Sequence, residues 1–284
     1  MAPPVVRDKY SAVWVSYSSI RDYLKCPRAY FLKNVYRDPK TNRKITIMQP
    51  PLALGQIVHE VIESLSVLPV DERFSKPLGE LFNERWSKVA GLNGGFTSDE
   101  EETTFKERGR TMLARVEKNP GPLMEKAIKI RQDLPNFWLS DEKNIILCGK
   151  IDWLRYNETD DSVHIIDFKT GKYDEDPESL QLPIYLLLAT RCQTKPVTGA
   201  SYWHLERDDA PVEATLPKQD TAQQQILEIA NRIALARKLE RFVCTRKDGC
   251  AACRSFEAIL EGKAKHVGIN EYHVDVYVLG ENIL

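Results

Sequence analysis

One stretch, from Gly149 to Tyr185, constrains this chain more than any other. It reads Gly149-Lys150-Ile151-Asp152, then a polar turn Asn157-Glu158-Thr159-Asp160-Asp161, then Ile165-Ile166-Asp167-Phe168-Lys169-Thr170-Gly171, then Gln181 and Tyr185. The short turn predicts antiparallel strands over 144–156 and 162–169, with a helix at 178–191 behind them. Side chains alternate along a strand, so Asp167 and Lys169 share a face with Val163 and Ile165, while Ile166 and Phe168 point the other way. Burying unpaired charge is expensive, so an aspartate and a lysine in so apolar a strand need partners. Asp152 on the preceding strand can supply one, and the three groups then surround one point. Gln181 and Tyr185, four residues apart, lie on one helix face. Pro183 between them is tolerated if the helix starts near Ser179 or Leu180, because first-turn amides have no intrahelical acceptor. Those free amides and the helix dipole favour a phosphate.

Two carboxylates with open positions suit Mg2+ or Mn2+, hard ions that prefer oxygen and keep water. Such an ion polarises a scissile phosphate and acidifies an attacking water. Lys169 can position that water and stabilise charge developing on the phosphoryl oxygens. The pattern points to metal-dependent cutting of a phosphodiester. An Asp–Lys ion pair at a sheet edge is the plainer alternative that Asp-x-Lys alone allows.

The rest of the chain sets the context. At 284 residues it has room for one large or two modest domains, and its 42% hydrophobic and 29% charged residues are ordinary for a globular protein. No apolar run is long enough for a membrane span. The start, Met1 to Asp8, carries no apolar leader, so a cytoplasmic protein is expected. Net charge is −1, which argues against a generic nucleic-acid binder, but the charge is unevenly spread. Residues 21–44 carry eight basic side chains against two acidic ones, and residues 229–254 carry seven against two.

The chain predicts helices first. One starts near Ser16 to Ser19 and breaks at Pro27, a second runs through Tyr30 and Phe31 to Val35, and a third follows the apolar spacing of Leu54, Ile57, Val58, Val61, Ile62 and Leu65. Gly55 and His59 lie on one side of that helix. Helices at 75–90 and 99–118 follow, and Pro120-Gly121-Pro122 closes the helical section. Strands are expected at 126–139, 144–156, 162–169, 198–206 and 212–216, then a long helix at 218–240, a short helix from Arg254 and a final strand from His273 to Leu279. The fold class is α/β, a mixed sheet flanked by helices.

Six cysteines in a reducing compartment are better suited to metal than to disulfides. Cys244, Cys250 and Cys253 form C-x5-C-x2-C in a glycine-containing loop, and Cys26 lies far upstream beside Pro27. Thiolates are soft ligands, suited to an iron-sulfur cluster or to zinc. Cys148 and Cys192 read as ordinary buried cysteines. A metal held by the four would staple the two basic segments into one positive surface able to track a phosphate backbone.

Gly-Lys-Ile-Asp, then Ile-Asp-Phe-Lys-Thr-Gly, then Gln-Leu-Pro-Ile-Tyr, with Leu54-Gly55-Gln56-Ile57-Val58-His59 upstream, resembles the RecB-like branch of the PD-(D/E)xK nuclease superfamily over about Ser16 to Cys253. The resemblance implies a restriction-endonuclease-like sheet flanked by helices. It implies that His59, Asp152, Asp167 and the Phe168 carbonyl bind metal, that Lys169 is catalytic, and that Gln181 and Tyr185 line the site and contact DNA. One early cysteine and three late ones are similar to the AddB-type helicase-nucleases and small CRISPR-associated exonucleases that carry a 4Fe-4S cluster. This chain departs from them in order: the close pair comes last, and Ile259 stands where the last cysteine of the family would fall.

On this reading 1–121 is a helical section contributing Cys26 and His59, and 122–240 is the nuclease core. Residues 241–284 form a cysteine-rich closure and final strand packed with the N-terminal section as one domain. The expected activity is Mg2+- or Mn2+-dependent DNA hydrolysis, as a single-stranded DNA exonuclease in repair, recombination or CRISPR adaptation. Expected partners are DNA with single-stranded or frayed ends and a helicase or CRISPR adaptation protein, since no Gly-x-x-x-x-Gly-Lys-Ser/Thr loop is present. Two other readings are a non-cleaving DNA-binding scaffold with an iron-sulfur or zinc staple, and a redox protein built on the cluster.

Overall fold

A computed structural model describes residues 7–280. Met1 to Val6, part of the stretch read as lacking a leader, lies outside the described residues. The chain runs β1 (Val13–Val15), α1 (Tyr17–Lys25), α2 (Pro27–Tyr30), β2 (Ile45–Ile47), α3 (Pro50–Leu65), α4 (Leu78–Trp86) and α5 (Asp99–Lys118). It continues through β3 (Asn136–Ser140), β4 (Ile145–Cys148), β5 (Trp153–Asn157), β6 (Ser162–Lys169), α6 (Gln181–Cys192), β7 (Val197–His204), β8 (Val212–Ala214) and α7 (Gln219–Lys238). It closes with α8 (Ala251–Leu260), β9 (Ala264–Ile269) and β10 (Asp275–Leu279). The α/β expectation holds: helices accompany sheets of mixed strand direction.

The chain divides into two compact units. One comprises Met1–Ile20, Glu63–Arg73 and Asn119–Arg241. Its larger sheet has the order β5-β6-β7-β8, with β6 antiparallel to β5 and parallel to β7. β6 is flanked on both sides and buried along its whole length except at Lys169, which is why it reads as an apolar run. A second sheet, β1-β4-β3, pairs β4 parallel with β1 and antiparallel with β3. α6 packs on α7, β3 and β7.

Two strand expectations need correction here. The predicted strand 144–156 is two strands in different sheets, β4 and β5, parted at Gly149 to Asp152. A Cβ at Gly149 would stand 3.0 Å from Leu188 Cδ1, so the glycine lets α6 come close where the chain changes sheets. The predicted strand 126–139 is regular only over β3. Residues 126–128 instead pair with the edge of β5, through Tyr156 N–H to Lys126 O at 2.8 Å and Ile128 N–H to Leu154 O at 2.9 Å. The chain then leaves the ladder ahead of Pro135, which has no N–H to offer one.

The other unit comprises Arg21–Ile62, Phe74–Lys118 and Phe242–Leu284. Its sheet, β2-β10-β9, includes two strands that periodicity alone does not reveal, β2 and β9. The short helix foreseen from Arg254 begins at Ala251. α5 opens with Asp99, Glu100, Glu101 and Glu102 and has Arg115 and Lys118 in its last turn, an arrangement that complements the helix dipole. Phe82, Trp86 and Phe96 stack in its core, and Gly109 on α5 leaves room for the Phe82 ring, which a Cβ would meet at 2.4 Å.

Asp275 at the start of β10 is fully buried. It accepts from Thr41 Oγ1 at 2.6 Å and from Arg43 and His266 at 3.4 Å, tying residues 41–43 to the strand. Burial would raise its pKa, but these partners outweigh burial and hold it below the usual value. A depressed folded pKa contributes stability that is present above the unfolded carboxylate value and is lost as pH falls through the folded one. Asp275→Asn should therefore cost about 1–3 kcal/mol in urea unfolding at pH 7. That cost should shrink in acid, as the wild-type carboxylate takes up its proton; a gap that stays constant down to strongly acid pH would contradict this account.

Candidate active site

The C-terminal end of β6 carries the predicted cluster. Alternation puts Asp167 and Lys169 on one face, and their side chains meet at 2.7 Å. Asp167 is 1% exposed. Gln181, the first residue of α6, bridges the pair: its Oε1 accepts from Lys169 Nζ at 2.5 Å and its Nε2 donates to Asp167 Oδ1 at 2.7 Å. The same amide donates to the Tyr185 hydroxyl at 3.0 Å. Gln181 and Tyr185 are thus buried members of the network. Burial, followed by the charges of Asp152 and Asp167, pushes the Tyr185 phenol well above its ordinary pKa and keeps it neutral.

Asp152 stands just before β5 and accepts from the Phe168 backbone N–H at 3.0 Å. In an extended strand the N–H and C=O of one residue project to the same side, so the Phe168 carbonyl also faces Asp152. Lys169, next along, turns its own carbonyl to the opposite neighbour and accepts from Leu205 N–H at 2.9 Å. Glu63, near the end of α3, brings a carboxylate oxygen within 4.8 Å of one from Asp152. His59 lies one turn earlier on α3.

Two further groups were not foreseen. Glu175, in the loop between β6 and α6, pairs with Lys169 at 2.7 Å and is held by Tyr17 Oη at 3.3 Å. Tyr202 on β7 lies under the ammonium, with its ring centroid 5.2 Å from Lys169 Nζ. Burial alone would lower the Lys169 pKa, but Asp167 and Glu175 more than offset burial and raise it. Glu63 had one sequence signal, its place four residues after His59 on a helix face. Glu175 had none, since a loop residue's reach is not periodic.

The donor set fits a hard divalent ion. Glu63 and Asp152 offer neighbouring carboxylate oxygens and the Phe168 carbonyl a neutral one, while Asp167 on the same strand is engaged by Gln181 and Lys169.

The second unit gathers the four cysteines. The Sγ atoms of Cys26, Cys244, Cys250 and Cys253 all lie within 4.8 Å of one another. Cys26 caps α2 ahead of Pro27, and Cys250 caps α8, where its N–H donates to Cys253 Sγ at 3.2 Å. Gly249 takes the left-handed φ of +75° that brings the loop into α8. Leu32, Ile45 and Phe256 pack around the group. Burial pushes the Cys26 thiol up to about 12. Burial acts the same way on Cys250, but the helix amides and neighbouring thiols overcome it and bring that thiol down to about 7. A neighbouring cleft of about 740 Å³ is lined by Arg28, Arg246, Lys247 and Arg254 among others. Among the described residues no disulfide forms, and the four cysteines together are compatible with a metal.

Residues 14–256 match the family described as the PD-(D/E)XK nuclease superfamily. The chain belongs to that superfamily, whose members are nucleases that use divalent metals. No protein of curated function matches the chain in sequence. Among the described residues no helix is long and apolar enough to cross a membrane.

Gln181 makes the network testable. Gln181→Ala leaves Asp167 and Lys169 each short of a partner, and groups that orient metal ligands typically carry about 10–100-fold in affinity. Calorimetric titration with Mn2+ should show a loss of that size; unchanged affinity would remove Gln181 from the site.

Proposed function

We propose that the protein is a single-stranded DNA exonuclease of the RecB-like branch, working in repair, recombination or CRISPR adaptation beside a helicase or adaptation partner. The observation that carries this reading is the closed contact of Asp167, Lys169 and Gln181 with Asp152 beside it, a complete set for phosphodiester hydrolysis. Residues 122–240 would form the nuclease core. Asp152, Asp167, the Phe168 carbonyl and Glu63 would hold Mg2+ or Mn2+, with His59, one turn before Glu63, as a further ligand. Bound there, the ion supplies Lewis acidity toward the scissile phosphate and acidifies water. Lys169 then donates to the attacking water or to a phosphoryl oxygen. Glu175 and Asp167 keep it charged, and Gln181 fixes its direction. Tyr185 and Gln181 support the cluster from behind and turn the N-terminus of α6 toward the phosphate.

At the cysteines the resemblance supports a 4Fe-4S cluster. One observation favours zinc as a second reading. A zinc–sulfur distance near 2.3 Å gives a tetrahedral edge of about 3.8 Å, and Cys250 Sγ and Cys253 Sγ stand 3.8 Å apart. A four-iron cube spreads its thiolates over separate irons and needs them wider.

Wild-type protein should shorten end-labelled single-stranded DNA with Mn2+, and Lys169→Ala should lose about 10²–10³-fold or more of that rate. A wild type that binds but never cuts would leave the scaffold reading. Anaerobically purified protein tests the staple separately: a broad visible absorption lost in Cys250→Ser supports the cluster, and colourless protein with one zinc per chain supports the ion.

A further inference from the structure

A cleft of about 560 Å³ opens beside Asp152 and Glu63. Its wall is the segment that leaves the predicted strand. Residues 126–128 are pinned to β5, Gly149 N–H donates to Pro135 O at 3.0 Å, and Gln132 Oε1 accepts from Asn136 N–H at 3.0 Å. Between these ties the chain arches out and carries Lys129 and Arg131, while Lys150 enters from the crossing between β4 and β5. All three cations are exposed and none has an ion-pair partner among the described residues. Lys126 and Arg155 next to them are paired, with Glu158 and Glu125.

We propose that this arch is a built binding site for single-stranded nucleic acid, with Lys129, Arg131 and Lys150 taking successive phosphates on the way to the metal carboxylates. The inference rests on the nuclease reading for where the strand goes and on the cleft itself for what it holds. Its acidic lining is Glu63 and Asp152, which a metal neutralises, and Asp133, which leaves the cations in excess. Ile128, Ile130 and Ile151 are half-buried in the same lining and give sugars and bases an apolar strip. The volume lies in the small-ligand range, room for about one or two nucleotides of a single strand and not for a duplex. The ties at both ends fix the backbone of the arch before the strand arrives, so the ordering cost left for binding falls on the three side chains.

Binding of fluorescein-labelled dT15 by anisotropy in Ca2+, across a salt series, reads the phosphate contacts directly. Each single-strand phosphate contact contributes about 0.7 to the slope of log K against log salt, so Lys129→Ala/Arg131→Ala/Lys150→Ala should lower that slope by about 2 and weaken low-salt binding roughly tenfold or more. A control with equal charge removed outside the cleft lining, Lys9→Ala/Lys143→Ala/Lys218→Ala, should keep the wild-type slope. Lys129→Arg/Lys150→Arg should keep it too, which separates lost charge from lost fold. A triple variant whose slope matches the control overturns the site. Wild-type protein that binds dT15 with the expected slope but never cuts it in Mn2+ overturns the exonuclease reading alone. Cutting with an unchanged slope in the triple variant overturns the cleft alone.

Discussion

The structure depends on one buried charge. Asp167 sits on the central strand at 1% exposure, where a carboxylate without partners would not stay ionised. Lys169 and Gln181 meet that need from two directions, one along the strand and one from the first residue of a helix. The helix must therefore begin at the site, and Pro183 in its first turn costs no hydrogen bond there. Removing one partner from a buried pair typically costs about 3–5 kcal/mol. The residues proposed for chemistry are thus the same ones that allow β6 to be central.

Much of this was legible in the sequence, for identifiable reasons. Period-two alternation put Asp167 and Lys169 on one face, the five-residue turn fixed the antiparallel pairing with β5, and the four-residue spacing aligned Gln181 with Tyr185. The break at Gly149 was not legible, because Ile145–Cys148 and Trp153–Asn157 both carry strand character and periodicity does not say which sheet a strand joins. β1 and β2 are three residues long, too short for a pattern to show. Glu175 is recruited by a loop, and only the folded chain reveals its reach.

The cysteine group shows the same division between chemistry and geometry. Thiolate softness and close spacing marked the three late cysteines as metal ligands, and the resemblance to nucleases with one early cysteine and three late ones is what associated Cys26 with them. The structure adds what packs around them: Arg28 pairs with Glu257 at 2.6 Å, and Leu32, Ile45 and Phe256 close around the thiols. A link between such distant positions removes loop entropy that grows only slowly with length. The apolar packing and a metal held by the thiols would therefore act on the same closure.

Charge composition was the least informative guide, and the reason is physical. In the basic segment 21–44, Lys33 pairs with Asp22, Arg28 with Glu257 and Arg43 with Asp275, so part of that positive charge is already neutralised within its own unit. Counterion release depends on cations still able to exchange partners with a phosphate. Lys129, Arg131 and Lys150 make no conspicuous run in the sequence, yet folding gathers them unpaired around one cleft. A chain with net charge −1 can therefore present a local field that attracts a polyanion. What decides nucleic-acid binding here is which cations the fold leaves uncommitted, and that is a property of tertiary pairing, which no count along the chain records.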